Sequence, residues 1–202
     1  MSANLAKRES EKIGHRIICN IVSPGSRVLD LGCGDGALME FLVNEKKVKA
    51  QGIELEEEAI YKCVERRLNV FHGDIDSGLP EYKDKSFDYV ILNQSFQEVK
   101  KPEVVLKESL RVGRKVIISF PNFAHYSARS QIFFKGRSPV TTSLPYEWYN
   151  TPNLHFLSIS DFISYCNKKN MKIEKSIYLA IRKRIYLFPN VFANIGVFLI
   201  SR

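Results

Sequence analysis

Three carboxylates stand at the ends of three successive apolar runs in the first half of this chain. Asp30 ends RVLD, just ahead of Gly32-Cys33-Gly34-Asp35-Gly36; Glu54 ends KAQGIE; Asp74 follows NVFHG. Each run reads as a short strand. Alternating glycines let a backbone approach a bound molecule closely, because no Cβ intervenes. A plain strand–helix turn needs one glycine rather than three, so this loop is expected to lie against a ligand. Gly32-x-Gly34-x-x-Ala37 also fits a relaxed dinucleotide fingerprint. Asp30 argues against that reading, since a carboxylate there repels a pyrophosphate and suits an ammonium or sulfonium. Glu54 can accept both hydroxyls of a ribose, which NAD binders also require, and Asp74 can accept from an exocyclic adenine amine. The acidic crescent of Asp30, Glu54 and Asp74 therefore fits S-adenosylmethionine, a cationic nucleoside amino acid without phosphate, better than NAD.

The elements that must position these residues follow from periodicity. Leu5, Ile13, Ile17, Ile18 and Ile21 are near helical spacing, which predicts an opening amphipathic helix within residues 1–25, stopped by Ser23-Pro24-Gly25-Ser26. Strands and helices then alternate: RVLDL, ALMEFLVNE, KAQGIEL, EEEAIYKCVERRL with acids in its first turn, NVFHGD, FDYVILN, KPEVVLKESLRV and RKVIISF. This rhythm argues for a parallel sheet covered on both faces, with ligands beyond the carboxyl ends of its strands. Residues 121–157 form a long connection rich in Pro and aromatic residues, expected to be functional and to cover the substrate side. Residues 158–169 predict a helix capped by Ser158 or Ser160, and MKIEKSIYLAI and ANIGVFLISR predict two closing strands. Asp35 is expected to cap the helix after the glycine loop, and Asp88 to satisfy backbone groups at a strand start.

Composition bounds the rest. The 202 residues, 45% hydrophobic and 26% charged, suit one globular domain, 1–202, with a sizeable core. Charge is mixed through the first twenty residues, so no secretory signal is read there, and VFANIGVFLI is too short to span a bilayer as a helix. Cys19, Cys33, Cys63 and Cys166 are scattered without a CxxC pair, which predicts reduced thiols, a cytoplasmic setting and no cysteine zinc site. Residues 1–100 carry 14 Lys/Arg against 17 Asp/Glu, net −3, whereas residues 101–202 carry 16 against 5, net +11. A basic half admits a nucleic acid, an anionic small molecule or an acidic partner, but positives this dispersed read first as a solvated surface.

The segments VLDLGCGDG, GIE, GDID and FDYVILNQS resemble the successive motifs of class I S-adenosylmethionine-dependent methyltransferases. GDIDSGLPEYKDKSFDYVILNQSFQEV, KPEVVLKESLRVGRKVIISFPNF and SPVTTSLPYEWYNTPNLHFLSISDF resemble more narrowly the methionine biosynthesis protein MetW family, over about residues 22–180. The resemblance implies a Rossmann-like α/β fold: a seven-stranded, mostly parallel sheet whose last strand, about Ile195 to Ser201, is antiparallel, with helices on both faces. It implies that Asp30, Gly32, Cys33 and Gly34 face the methionine moiety, Glu54 holds the ribose and Leu55 packs on the adenine. Asp74 and the backbone of Ile75 would read the adenine edge, and Asn93 would lie beside the methionine group. It also associates the chain with a homoserine O-acyltransferase.

Methyl transfer from a sulfonium needs a nucleophile at attack distance and, for a protonated one, a base. Polar candidates near the end of FDYVILN and in the long connection are Gln94, Gln97, Asn122, His125, Tyr126, Arg129, Tyr146, Trp148, Tyr149, Asn153 and His155. His125, Tyr146 and His155 are the candidate catalytic residues. His155, between Leu154 and Phe156, is read first as a hydrogen-bonded packing residue, and the aromatics of Tyr146-Glu147-Trp148-Tyr149 first as core. The strand ends Asn93-Gln94-Ser95-Phe96 rather than in the Asn-Pro-Pro-Tyr of amino-group methylases, so no acceptor is assigned. Three functions remain open: a small-molecule methyltransferase; a non-catalytic, cofactor-sensing subunit of homoserine O-acyltransferase; and an RNA methyltransferase, suggested by the basic half with Arg182-Lys183-Arg184. No metal and no membrane role is expected.

Overall fold

The computed structural model describes residues 2–181 and 183–202. Met1 and Arg182 of the basic run lie outside them, as do the side chains of residues 2–10, Leu5 among them. A long helix, α1 (Ser2–Ile21), precedes the alternating elements. These are β1 (Arg27–Leu31), α2 (Ala37–Lys46), β2 (Lys49–Glu54), α3 (Glu57–Glu65), β3 (Val70–His72), β4 (Phe87–Asn93), α4 (Pro102–Val112) and β5 (Gly113–Pro121). The chain then adds α5 (Tyr126–Lys135), α6 (Ile159–Lys168), β6 (Lys172–Leu179), the four-residue α7 (Pro189–Phe192) and β7 (Ile195–Ser201). The seven strands make one sheet in the order β3-β2-β1-β4-β5-β7-β6. β7 runs antiparallel to both β5 and β6, and the other pairings are parallel.

Side chains that alternate along each strand divide between the two faces of the sheet. Val28, Tyr89, Ile91, Ile117, Val197 and Leu199 pack with Ile17, Ile18, Leu38 and Leu42, which are supplied by α1 and α2. Leu29, Leu31, Val90, Leu92, Ile118 and Phe198 pack with Val105, Leu106 and Leu110 of α4 and with Phe162 of α6. α6 is set by a capping box: the Ser158 hydroxyl accepts from the Asp161 N–H, and the Asp161 carboxylate accepts from the Ser158 N–H. This delivers Phe162 between Phe120 and Phe198, at ring-centroid distances of 5.2 and 4.8 Å.

β1 lies beside β2 on one side and β4 on the other. The crossover directions diverge there, which opens a crevice at the carboxyl ends of the strands. Two elements differ from the sequence expectation. The 121–157 connection is not plain loop but contains α5, started by His125 and closed by Gly136 in the left-handed region. NVFHGD contributes only three strand residues: the N–H of Gly73 returns to the Glu54 carbonyl, and Asp74 caps a 3-10 turn at Ile75–Ser77. Phe162→Ala, which removes the centre of the aromatic cluster, should lower unfolding stability by about 3–5 kcal/mol in urea titration.

Candidate functional site

The glycine loop begins where β1 ends. Gly32 and Cys33 donate their N–H groups to the Ile53 carbonyl, at 2.9 and 3.2 Å, so the loop is pinned to β2 as it turns. Gly32 has φ +71°, and a Cβ there would meet the Ser95 Cβ at 2.8 Å. Gly34 has φ +56° with nothing within 4 Å of the place a Cβ would take, so its backbone stands open to the crevice. Glu54 braces the loop. One of its oxygens accepts the Gly34 N–H at 2.7 Å, while the other accepts the N–H groups of Leu55 and Glu56 at 2.7 and 3.0 Å. Asp35 accepts the Ala37 N–H at 3.1 Å at the start of α2 and pairs with Arg66 at 2.9 Å. Asp88 accepts the Arg27 N–H at 2.9 Å.

A cavity of about 460 Å³ lies against this loop. Its floor is Asp30, Gly32, Cys33 and Gly34, with Asn93 and Gln94 from the end of β4. Gln97, Glu98 and Asn153 form one wall, and Thr142, Ser143 and Tyr146 of the long connection lie over it. α1 contributes Glu11 and His15 to the same cavity. Two buried acceptors here have no partner among the described residues: Asp30 Oδ1 and Gln97 Oε1. Asp30 is 1% exposed and Gln97 3%, so both residues are withdrawn from the outer surface. Burial pushes the Asp30 carboxyl up to about 7, and the charge of Glu54 adds to the push. His15 is lowered by burial, against a smaller upward pull from Asp35, which keeps it neutral at pH 7. Among the described residues lining the cavity there is no Lys or Arg. The space is polar, rich in acceptors, and matched to a donor-bearing cation.

The structure distributes the residues singled out in the sequence between several places. Asp30, Gly32, Cys33, Gly34, Asn93 and Tyr146 share the cavity. Asn93 Oδ1 accepts from the Ser119 hydroxyl at 2.6 Å. Glu54 touches the cavity's loop through Gly34, and Leu55 beside it is 59% exposed. Asp74 and Ile75 line a separate cavity of about 500 Å³ with Phe71, Glu81 and Tyr82, and Asp74 Oδ1 is spent on the Asp76 N–H at 2.9 Å. His125 uses Nδ1 to accept the Ser127 N–H at the start of α5, and His155 donates its Nε2–H to the Val99 carbonyl at 2.9 Å. Neither histidine lines the Asp30 cavity. Asn122 is consumed structurally, holding the carbonyls of Asn190 and Ala193 and the N–H groups of Ala124 and Ile159. Trp148 and Tyr149 are exposed rather than core, because the segment that carries them stays at the surface. Sequence reading overlooked Glu11 and His15. Their i, i+4 spacing puts them on one helix face, a signal masked by the apolar stripe beside it.

Comparison with known proteins places this geometry in a family. The family model described as methionine biosynthesis protein MetW matches residues 12–200. The chain belongs to that family. A relative from Rhodopirellula baltica (strain DSM 10527 / NCIMB 13988 / SH1), the bifunctional methionine biosynthesis protein MetXA/MetW, is 36% identical over 170 residues, covering 80% of this chain. The match spans only 27% of that relative's length. Among solved structures, a SAM dependent methyltransferase from Archaeoglobus fulgidus superposes with TM-score 0.68 at 18% identity, covering 99% of this chain and 94% of that one. The cyclase SpnF superposes with TM-score 0.65 at 15% identity, covering 99% of this chain and 80% of that one. The fold is thus the Rossmann-like class I methyltransferase fold, and it hosts more than one chemistry.

The raised Asp30 carboxyl has a consequence for stability. Between about pH 4 and pH 7 the native state holds a proton that the unfolded chain has lost. Stability from this group is full below pH 4 and is lost as the pH rises to about 7. Asp30→Asn should abolish that loss. At pH 8, without ligand, the variant should be more stable than the wild type by roughly 2–4 kcal/mol in urea unfolding.

Proposed function

We propose that this MetW-family protein binds S-adenosylmethionine in the Asp30 cavity and serves methionine biosynthesis as a cofactor-sensing subunit of a homoserine O-acyltransferase. The observation that carries the cofactor is the pair of buried acceptors, Asp30 Oδ1 and Gln97 Oε1, that have no partner among the described residues and belong to one cavity with no Lys or Arg among its described lining residues. Unpaired buried acceptors are costly, and a ligand bringing an ammonium and a sulfonium offsets that cost. Asp30, Gln97 and the open backbone at Gly34 would hold the amino-acid end. The Glu54 oxygen that holds the Gly34 N–H retains acceptor capacity for a ribose hydroxyl, while the other already accepts two N–H groups. Leu55 would cover the adenine, and Asp74, reached outside the cavity, would accept from its amine.

The cofactor, once bound, supplies an electrophilic methyl group. Small-molecule methyl transfer is the second reading, favoured by Tyr146 and Asn93 at the same cavity as the cofactor's reactive end. The sensing role ranks first because both histidine candidates are tied to backbone groups elsewhere, and because a relative joins MetXA and MetW in one protein. RNA methylation ranks last, since the cavity wall carries Glu11, Glu98 and Asp35, which repel phosphate.

A cationic ligand selects the ionised form of Asp30. Its affinity should fall about tenfold per pH unit as the pH drops from 7 to 5, and Asp30→Asn should flatten that dependence in titration calorimetry. Glu54→Ala should weaken binding at least about tenfold by freeing Gly34 and removing a ribose acceptor. Wild-type affinity in both variants sinks the assigned site. The sensing role is tested by the rate of the acyltransferase with and without this chain, each at zero and saturating S-adenosylmethionine. A rate indifferent to both removes it.

A further inference from the structure

A groove of about 980 Å³ lies outside the cofactor cavity, between the start of α5, the connection after β6 and α7. Tyr126, Ile181, Ile185, Tyr186, Leu187 and Phe192 make it apolar. Its outer lip is unusual. Tyr186, Leu187 and Phe188 are consecutive and each more than 70% exposed, which a surface meant only for water rarely shows. Phe188 follows the groove-lining Leu187 and starts α7 as its N-cap, at φ +47°. Lys183 and Arg184 line the same groove, and among the described residues neither is in an ion pair.

The groove and the cofactor cavity share a wall. Thr142 lines both, and Asn194 of the groove is followed by Ile195 of the cavity. Asn122, fully buried behind them, takes the Asn194 carbonyl on its own N–H at 2.8 Å and follows Pro121 of the cavity. Thr142 stands exposed at the shared rim, while Asn122, Asn194 and Ile195 behind it are buried, so the two cavities meet along one continuous strip of chain.

We infer that this groove is the docking surface for the acyltransferase, receiving an apolar segment flanked by carboxylates, and that Thr142 and the Asn194–Ile195 step couple docking to cofactor occupancy. The inference rests on the accessory-subunit reading above and adds the surface and its regulation. Lys183 and Arg184, which form no ion pair among the described residues, supply the charge to be matched, and the lip supplies the apolar anchors found at interface centres. Linkage requires that the cofactor alter acyltransferase affinity by the same factor as the acyltransferase alters cofactor affinity.

The test uses the full chain and the homoserine O-acyltransferase of the same organism, with affinity measured by interferometry. Leu187→Asp and Lys183→Glu should each weaken binding about tenfold or more, while Tyr61→Ser, on the exposed side of α3, should leave it unchanged. All three variants should keep wild-type S-adenosylmethionine affinity, which shows that they fold. Saturating cofactor should shift the wild-type dissociation constant by about fivefold or more. Wild-type binding that Leu187→Asp leaves intact overturns the surface alone, and binding indifferent to cofactor overturns the coupling. Absence of any wild-type binding overturns the accessory-subunit reading and the surface with it. A self-association in sedimentation that Leu187→Asp dissolves assigns the groove to a second copy instead and overturns the acyltransferase as its occupant.

Discussion

A carboxylate shut away from water with one oxygen unpartnered is expensive to ionise, and Asp30 is in that position at the end of the first strand. Nearby Glu54 makes ionisation harder still, and no basic side chain among the described residues lines the cavity to relieve it. The arrangement is poor for the unliganded protein and good for one that receives a cation. Gln97 repeats the pattern with a neutral acceptor, so the cavity is short of donors in two places. That shortage organises the neighbourhood: α1 covers it with Glu11 and a neutral His15, and the long connection closes over it with Thr142, Ser143 and Tyr146.

Holding such a carboxylate in place requires a rigid frame. β1 is a central strand, hydrogen-bonded on both sides, so the position of Asp30 is over-determined by β2 and β4. The loop that follows is tied to β2 through Ile53 and to Glu54 through Gly34. Glu54 is therefore a strut under the backbone of the glycine loop. The topological switch between β1 and β4 leaves an open crevice at the carboxyl ends of the strands.

Fold and chemistry separate clearly in this molecule. The same architecture superposes on a methyltransferase and on a cyclase, so the sheet alone names no reaction. Of the three candidate catalytic residues, His125 starts a helix and His155 fastens the long connection to Val99, while Tyr146 stays at the cavity; Asn122 ties α6 and α7 to the end of β5. What remains around Asp30 is a set of acceptors and carboxylates, Glu11, Asp35, Gln97 and Glu98.

Much of this was legible from residue order. Strand–helix alternation settled the sheet, because burial on two faces leaves continuous apolar runs, and the glycine spacing announced a tight loop whose three glycines all hold φ between +56° and +76°. The Ser158 cap was also local, a matter of four adjacent residues. Tertiary structure alone decided which polar groups are partnered. Asp30 and Asp74 look equivalent as carboxylates after short strands, yet one is orphaned in a central strand and the other is satisfied by a turn beyond an edge strand. His155 gained its role from a carbonyl 56 residues away, and Glu11 joined the site only when α1 folded across it. Hydrogen-bond satisfaction is a property of neighbours in space, so sequence spacing announced the acceptors but not which of them would be left without a partner among the described residues.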